Sequence, residues 1–198
     1  MTDPARIITD ILEESLTVKR ASVLSNRERL QRGAEMLAAC LSAGRKVLIF
    51  GNGGSAADSQ HMAAEFVNRF RLERPPLAAI ALTTDSSILT AIGNDHRFEE
   101  VFTKQINALG AAGDLAWGIS TSGNSPNVVE AVRAAGRRGL ATIGMTGRGG
   151  GLAAAADLVL TVDSDVTARI QETHITMGHI LCELVERILF PEGFAHEA

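Results

Sequence analysis

The sequence has no surplus of basic residues. Its 19 lysines and arginines are outnumbered by 23 acids, for a net charge of −4, and they are mixed among those acids instead of gathering into runs. Binding a polyanion takes a basic patch or stripe, so nucleic acid and anionic membrane are excluded as expected partners. Long apolar runs are missing as well: none approaches the roughly 18 residues that cross a bilayer. The opening Met1-Thr2-Asp3-Pro4 leads into an amphipathic stretch and lacks the basic segment and apolar core of a secretory leader. A cytoplasmic chain is expected. Cysteine is scarce, and Cys40 and Cys182 fall in separate apolar helical patterns, which suits buried free thiols and not a disulfide or a metal site. No internal repeat or linker interrupts the 198 residues, a length that one domain with one substantial core accommodates.

What is present has a clear order. Asp3 before Pro4 is an N-cap with proline at the first helical position, and Ile7, Ile8, Ile11, Leu12 and Leu16 follow at helical spacing. Beyond a break at Ser25-Asn26, Leu30, Met36, Leu37, Cys40 and Leu41 mark a second helix that ends at Gly44. Residues 1–44 are therefore expected to form a helical hairpin, packed on the rest of the domain or on another subunit. Short apolar runs at 47–50, 78–82, 115–119, 141–145 and 158–162 read as five strands buried on both faces, with helices between them. The expected fold over residues 46–190 is a three-layer α/β sandwich around a parallel sheet. Helices are expected over 86–92, 98–109 and 167–189, with Pro191 stopping the last and 191–198 left as a frayed tail. Folds of this kind place ligands at the carboxyl ends of the strands.

Two loops there suit a phosphate. Gly51-Asn52-Gly53-Gly54-Ser55 closes the first strand and opens a helix. Glycines let backbone N–H groups turn inward, the helix start adds partial positive charge, and Ser55 adds a hydroxyl. The spacing Gly51-x-Gly53-x-x-Ala56 also fits a dinucleotide fingerprint, but Arg71 to Pro76 occupies the region where that motif's acid should stand. A plain tight turn is the other reading of this loop. After the third strand comes Ser120-Thr121-Ser122-Gly123-Asn124-Ser125, then Pro126. Capping accounts for Ser125 alone. The hydroxyls of Ser120, Thr121 and Ser122 suit a phosphate monoester held without the lysine of a nucleotide P-loop. Thr146-Gly147-Arg148-Gly149-Gly150-Gly151 reads as a flexible connection.

Asp58, His61 and Glu65 share one face of the helix that Ser55 opens, while Met62, Phe66 and Phe70 line another. By spacing alone, His61 and Glu65 are equally an exposed i, i+4 pair. Their position favours function, because a carboxylate about three turns along can reach a substrate anchored at the helix start. The last helix carries Gln171, His174 and His179 among apolar residues. Gln171 and His179 stand about 12 Å apart along a straight helix, so a chelate shared by both requires an irregular helix or packed subunits.

Together these segments, with Ala168-Arg169-Ile170-Gln171-Glu172 and the Gly93-Asn94-Asp95 turn, resemble the bacterial sedoheptulose 7-phosphate isomerases. The resemblance implies the Rossmann-like sugar isomerase (SIS) fold, a homotetramer with active sites between subunits, and a phosphosugar substrate. The implied product is D-glycero-D-manno-heptose 7-phosphate, destined for ADP- or GDP-heptose. It places the phosphate pocket on Ser55, Ser120, Thr121, Ser122 and Ser125, with Asn52, Gly53 and Gly54 beside it. Asn94, Asp95 and Gln171 join the implied substrate contacts, and Glu65 and His179 form the acid/base pair. Zinc-bearing members have ligands corresponding to His61, Glu65, Gln171 and His179. Ala168 stands where some members carry an aspartate. The alternative is a non-catalytic relative of this fold that binds a sugar phosphate or a replication-initiation protein. Glu65 with His61 speaks for the enzyme, since the regulator lacks that carboxylate.

Overall fold

Five parallel strands lie in the order β2-β1-β3-β4-β5 in a computed structural model that describes residues 3–196. They are β1 Val47–Gly51, β2 Ala79–Ala81, β3 Leu115–Ser120, β4 Ala141–Thr146 and β5 Leu158–Thr161, each matching its apolar run to within one residue at either end. Side chains alternate along each strand, so β1 sends Val47 and Ile49 to one face and Leu48 and Phe50 to the other. Full burial holds for β1 and β3. It fails at the edges, where Ile80 is 40% exposed and β5 is mostly half-buried. An edge strand has a neighbour on one side only, and the helices cover it incompletely.

The helices are α1 Pro4–Ser25, α2 Arg27–Ser42, α3 Gly54–Val67, α4 Ser86–Asp95, α5 Val101–Leu109, α6 Pro126–Arg137, α7 Gly151–Ala155 and α8 Thr167–Leu189. Helices α2, α3 and α8 cover one face, over Ile49, Trp117 and Ile143. Helices α4 to α7 cover the other, over Leu48, Phe50 and Ala116. Each large apolar side chain so removed from water contributes ~1.5–3 kcal/mol.

The two N-terminal helices form where expected. Asp3 accepts a hydrogen bond from the Ala5 N–H at 3.1 Å, and the break is held by buried Asn26, whose amide donates to the Ser22 and Thr161 carbonyls. Their packing is a finding: both lie on α8, and they scarcely touch one another. Arg169 donates to the Ile11 carbonyl at 2.7 Å, and Ser15 donates to Glu172 at 2.6 Å. The expected frayed tail is also corrected in part. Pro191–Phe194 forms a 3₁₀ turn, and Phe194 is buried with the Arg187 guanidinium 4.1 Å from its ring centroid. The last two residues of that tail lie outside the described ones.

Helices α3 and α8 run side by side in the same direction. A Cβ on Gly54 would strike the Gln171 amide, and one on Gly178 would meet Met62 Sδ at 2.5 Å. Glycine lets both side chains keep these positions. This register sets the start of α3 against Gln171 and brings the next turns of the two helices together around Met62.

Candidate active site

Strand β1 has β2 on one side and β3 on the other. The chain leaves β1 for α3 on one face and leaves β3 for α6 on the opposite face. A crevice opens between such diverging loops, at the carboxyl ends of the strands. Residues 51–55 form one wall and residues 120–125 the other.

The walls are joined by a pair of amides. Asn52 Nδ2 donates to Asn127 Oδ1 at 2.8 Å, and Asn127 Nδ2 returns a bond to Asn52 Oδ1 at 2.9 Å. Both polar atoms of the Asn52 side chain are thus engaged in clasping the loops. Ser55 is buried at the start of α3. Across the crevice, Ser120 Oγ lies 2.9 Å from Ser125 Oγ and 3.4 Å from Ser122 Oγ. Ser125 occupies the N-cap position of α6 but makes no side-chain capping bond, so its hydroxyl belongs to the serine cluster. Pro126 has no N–H and those of Val128 and Val129 donate to the Ser125 carbonyl, which leaves the Asn127 N–H as an open group at the helix start. Such a group with the helix dipole favours an anion.

The glycine loop at 146–151 is not the flexible connection expected. Gly147 N–H donates to the Thr121 carbonyl at 3.0 Å, Leu152 N–H to the Gly123 carbonyl at 2.8 Å, and Thr146 Oγ1 to the Gly149 carbonyl at 2.7 Å. Gly123 has φ +67°, and a Cβ there would run into the Gly149 carbonyl. These glycines allow two backbones to meet, and the loop buttresses the serine wall.

Further along α3 and α8 a second group converges. His61 Nε2 lies 2.9 Å from His179 Nε2 and 3.2 Å from Glu65 Oε1. One ligand atom from each of the three residues falls within 4.8 Å of the others. Phe70 stacks on the His179 ring with centroids 5.4 Å apart. Burial lowers the His179 pKa and His61 lowers it further, against an opposing effect of Glu65; a neutral imidazole can then give or take a proton near neutrality. Burial raises the Asp58 carboxyl above its usual value against the pull of His61, and its Oδ2 is buried without a hydrogen-bond partner. From Ser55 to Glu65 is ten residues of one helix, about 15 Å of rise, so the loops and the cluster are two separate groups along one helix.

Residues 12–147 match the SIS domain family. A phosphoheptose isomerase of Nitratidesulfovibrio vulgaris (strain Hildenborough) is 55% identical over 197 residues, 98% of this chain and 95% of that protein. The chain belongs to the phosphoheptose isomerase family of SIS-domain proteins. Solved structures agree. The phosphoheptose isomerase of Neisseria gonorrhoeae is 46% identical with a TM-score of 0.87, covering 93% of this chain and 99% of that one. That of Francisella tularensis is 37% identical with a TM-score of 0.90, covering 94% and 100%.

Within this SIS-domain chain the expected residues separate into three groups. Gly53, Gly54, Ser55, Ser120, Thr121, Ser122 and Ser125 line the clasped loops, and His61, Glu65 and His179 form the second cluster. Gln171 is not part of that cluster. Its amide lies on Gly54 at the loop end, because α8 is one continuous helix that keeps the spacing between 171 and 179. Asn94 and Asp95 stand apart: they are exposed at the end of α4, on the other face of the sheet, with Asn94 donating to Asp95 at 2.8 Å. His174 is structural. It is buried, its Nε2 lies 3.2 Å from the Thr146 carbonyl, and burial drives its pKa down to about 4.

Two contributors had no signal in the sequence. Asn127 sits one place beyond a Ser-Pro helix start and reads as an ordinary first-turn residue. Arg74, between Glu73 and Pro75, belongs to no periodic pattern, yet it is fully buried against Glu186.

Proposed function

We propose that this chain interconverts sedoheptulose 7-phosphate and D-glycero-D-manno-heptose 7-phosphate. The observation that supports it best is the shared geometry: clasped hydroxyl loops at the start of α3, and a carboxylate with two imidazoles further along α3 and α8. Phosphate is bound by Ser55, Ser120, Thr121, Ser122 and Ser125 at the positive ends of the α3 and α6 dipoles, while Gln171 on Gly54 meets the substrate beside it. The open-chain ketose then lies along α3 with its carbonyl end at the cluster. Glu65 removes a proton from C1 to give a cis-enediol and returns it to C2; His179 moves the accompanying proton between the two oxygens. The complete His61, Glu65 and His179 set favours this enzyme over a regulator of the same fold.

Two imidazoles and a carboxylate at these distances fit zinc, whose preferred ligands they are. His61, Glu65 and His179 would hold it. Gln171 as a fourth ligand would have to come from outside this arrangement of the chain. Bound there, zinc supplies Lewis-acid polarisation of a carbonyl oxygen.

The proposed assembly is a homotetramer. Ile8 and Leu12 on α1 are 68% and 54% exposed, in a row with the exposed Ile7, Ile11 and Leu16. Asn94 and Asp95 would then serve a site across a subunit boundary. No helix among the described residues is long and apolar enough to cross a membrane; a cytoplasmic location and a product destined for nucleotide-activated heptose complete the reading.

The test is to incubate the purified chain with sedoheptulose 7-phosphate, with and without chelator, and follow the aldose product. Glu65→Gln is expected to lose at least ~10²-fold in kcat, the usual scale for a positioned acid/base. Undiminished turnover in that variant would remove Glu65 from the chemistry.

A further inference from the structure

Arg74 and Glu186 form an ion pair with side chains 2% and 1% exposed, Arg74 Nε donating to Glu186 Oε1 at 2.9 Å. Burying two charges costs about as much as their attraction returns. The reason for the pair lies in what else each partner holds.

Arg74 closes the end of α3. The last carbonyls of a helix have no partner within it, and here Arg74 Nη2 donates to the Glu65 carbonyl and Nη1 to the Phe66 carbonyl, each at 2.8 Å. The backbone of Glu65 is thereby fixed by a guanidinium nine residues further on. Glu186 holds the segment that follows α3: its oxygens accept from the N–H groups of Phe70, Arg71 and Leu72 at 3.0, 2.8 and 3.1 Å. That segment carries Phe70, whose ring stacks on His179. Glu186 is itself two turns beyond His179 on α8. The contacts form a closed circuit from Glu65 through Arg74 and Glu186 to α8, and back through Phe70 to His179.

We infer that Arg74 and Glu186 are positioning residues for the isomerisation, setting where the Glu65 carboxylate stands relative to the His179 ring. Neither touches the substrate. The inference rests on the acid/base roles given to Glu65 and His179 above. A rigid cross-brace is what such a pair needs, because misplacing a reacting group by about 1 Å can cost ~10²-fold in rate.

The experiment compares two variants with the parent chain. Arg74→Lys keeps a cation for Glu186 but loses the planar fork that reaches two carbonyls at once. The double variant Arg74→Met with Glu186→Leu removes both charges and leaves no lone buried ion. Both are expected to melt cooperatively and to keep KM for sedoheptulose 7-phosphate within about twofold, while kcat falls at least ~10-fold. The His179 ring proton resonances, displaced by the stacked Phe70, are expected to move toward free imidazole values. Should one variant fail to fold, the other carries the comparison. Parental kcat with parental His179 resonances in a folded variant overturns the inference, and so does a KM rise as large as the kcat loss, which marks general loosening. An inactive parent would remove the isomerase reading instead, and the ring resonances, which need no turnover, would still decide the geometry.

Discussion

Asn52 and Asn127 exchange two hydrogen bonds, amide to amide, and so bind the loop after β1 to the first turn of α6. Each side chain satisfies the other, and removing one strands its partner. Asn127→Ala is expected to cost ~1–3 kcal/mol for the orphaned amide. Because the two loops then part, KM should rise about tenfold while kcat changes less than about twofold. Steady-state kinetics with sedoheptulose 7-phosphate check this, and a kcat loss without a KM change would contradict the clasp.

Gly123 is held at φ +67° against the Gly149 carbonyl. Gly123→Ala meets both a strained backbone and a collision, for an expected loss of ~2–3 kcal/mol in denaturant melts. Phosphate affinity should fall with it, since the serine wall must shift to relieve the clash. A variant of parental stability would show that the loop at 146–151 yields easily.

Stability should fall with acidification through His174. The unfolded chain takes up a proton at this residue as pH drops through its ordinary value of 6.5, while the folded chain resists until about 4. Between those values the unfolded state holds more protons, so stability declines as pH falls, by about 3 kcal/mol over the whole window. Above pH 6.5 this contribution is complete and flat. Urea melts from pH 7 to 4 on the parent and on His174→Gln test it: the variant should show a shallower decline, and parallel curves would exclude His174 as the cause.

Zinc binding should depend on all three residues of the cluster. Atomic absorption on the dialysed chain is expected to find about one zinc per subunit, and His61→Ala should weaken binding by at least ~10-fold, as loss of a ligand does. Equal zinc retention by the variant would place the ion elsewhere.

The α1 row offers a test of assembly. Ile8→Glu with Leu12→Glu puts two charges into the proposed contact, and light scattering should then report a mass below that of a tetramer. An unchanged mass would move the contact to another face.

Most of the fold was legible because strong local signals agreed with the tertiary arrangement. The five apolar runs became the five strands, and the pattern from Thr167 to Leu189 became α8 with the same ends. Of the candidate site, the serine wall is readable from its place after the third strand and the pairing of His61 with Glu65 from their shared face of α3, while His179 joins them only through the family resemblance. The remainder depends on pairings between distant segments, which leave no periodic trace. Nothing in the sequence marks Asn127 as the partner of Asn52, 75 residues away. The glycines of 146–151 suggested freedom, whereas they serve close backbone approach. Gln171 was grouped with His179 by resemblance, and a straight helix holds the two apart.

The strand order has a kinetic consequence. The crevice proposed for phosphate lies between β1 and β3, so its walls come from segments that meet only after the intervening chain, β2 to α5, has been laid down outside them. Long loops must close before this pocket exists. On dilution from denaturant, far-ultraviolet helicity should therefore return ahead of ligand binding, and recovery of turnover will time the final docking of the sheet.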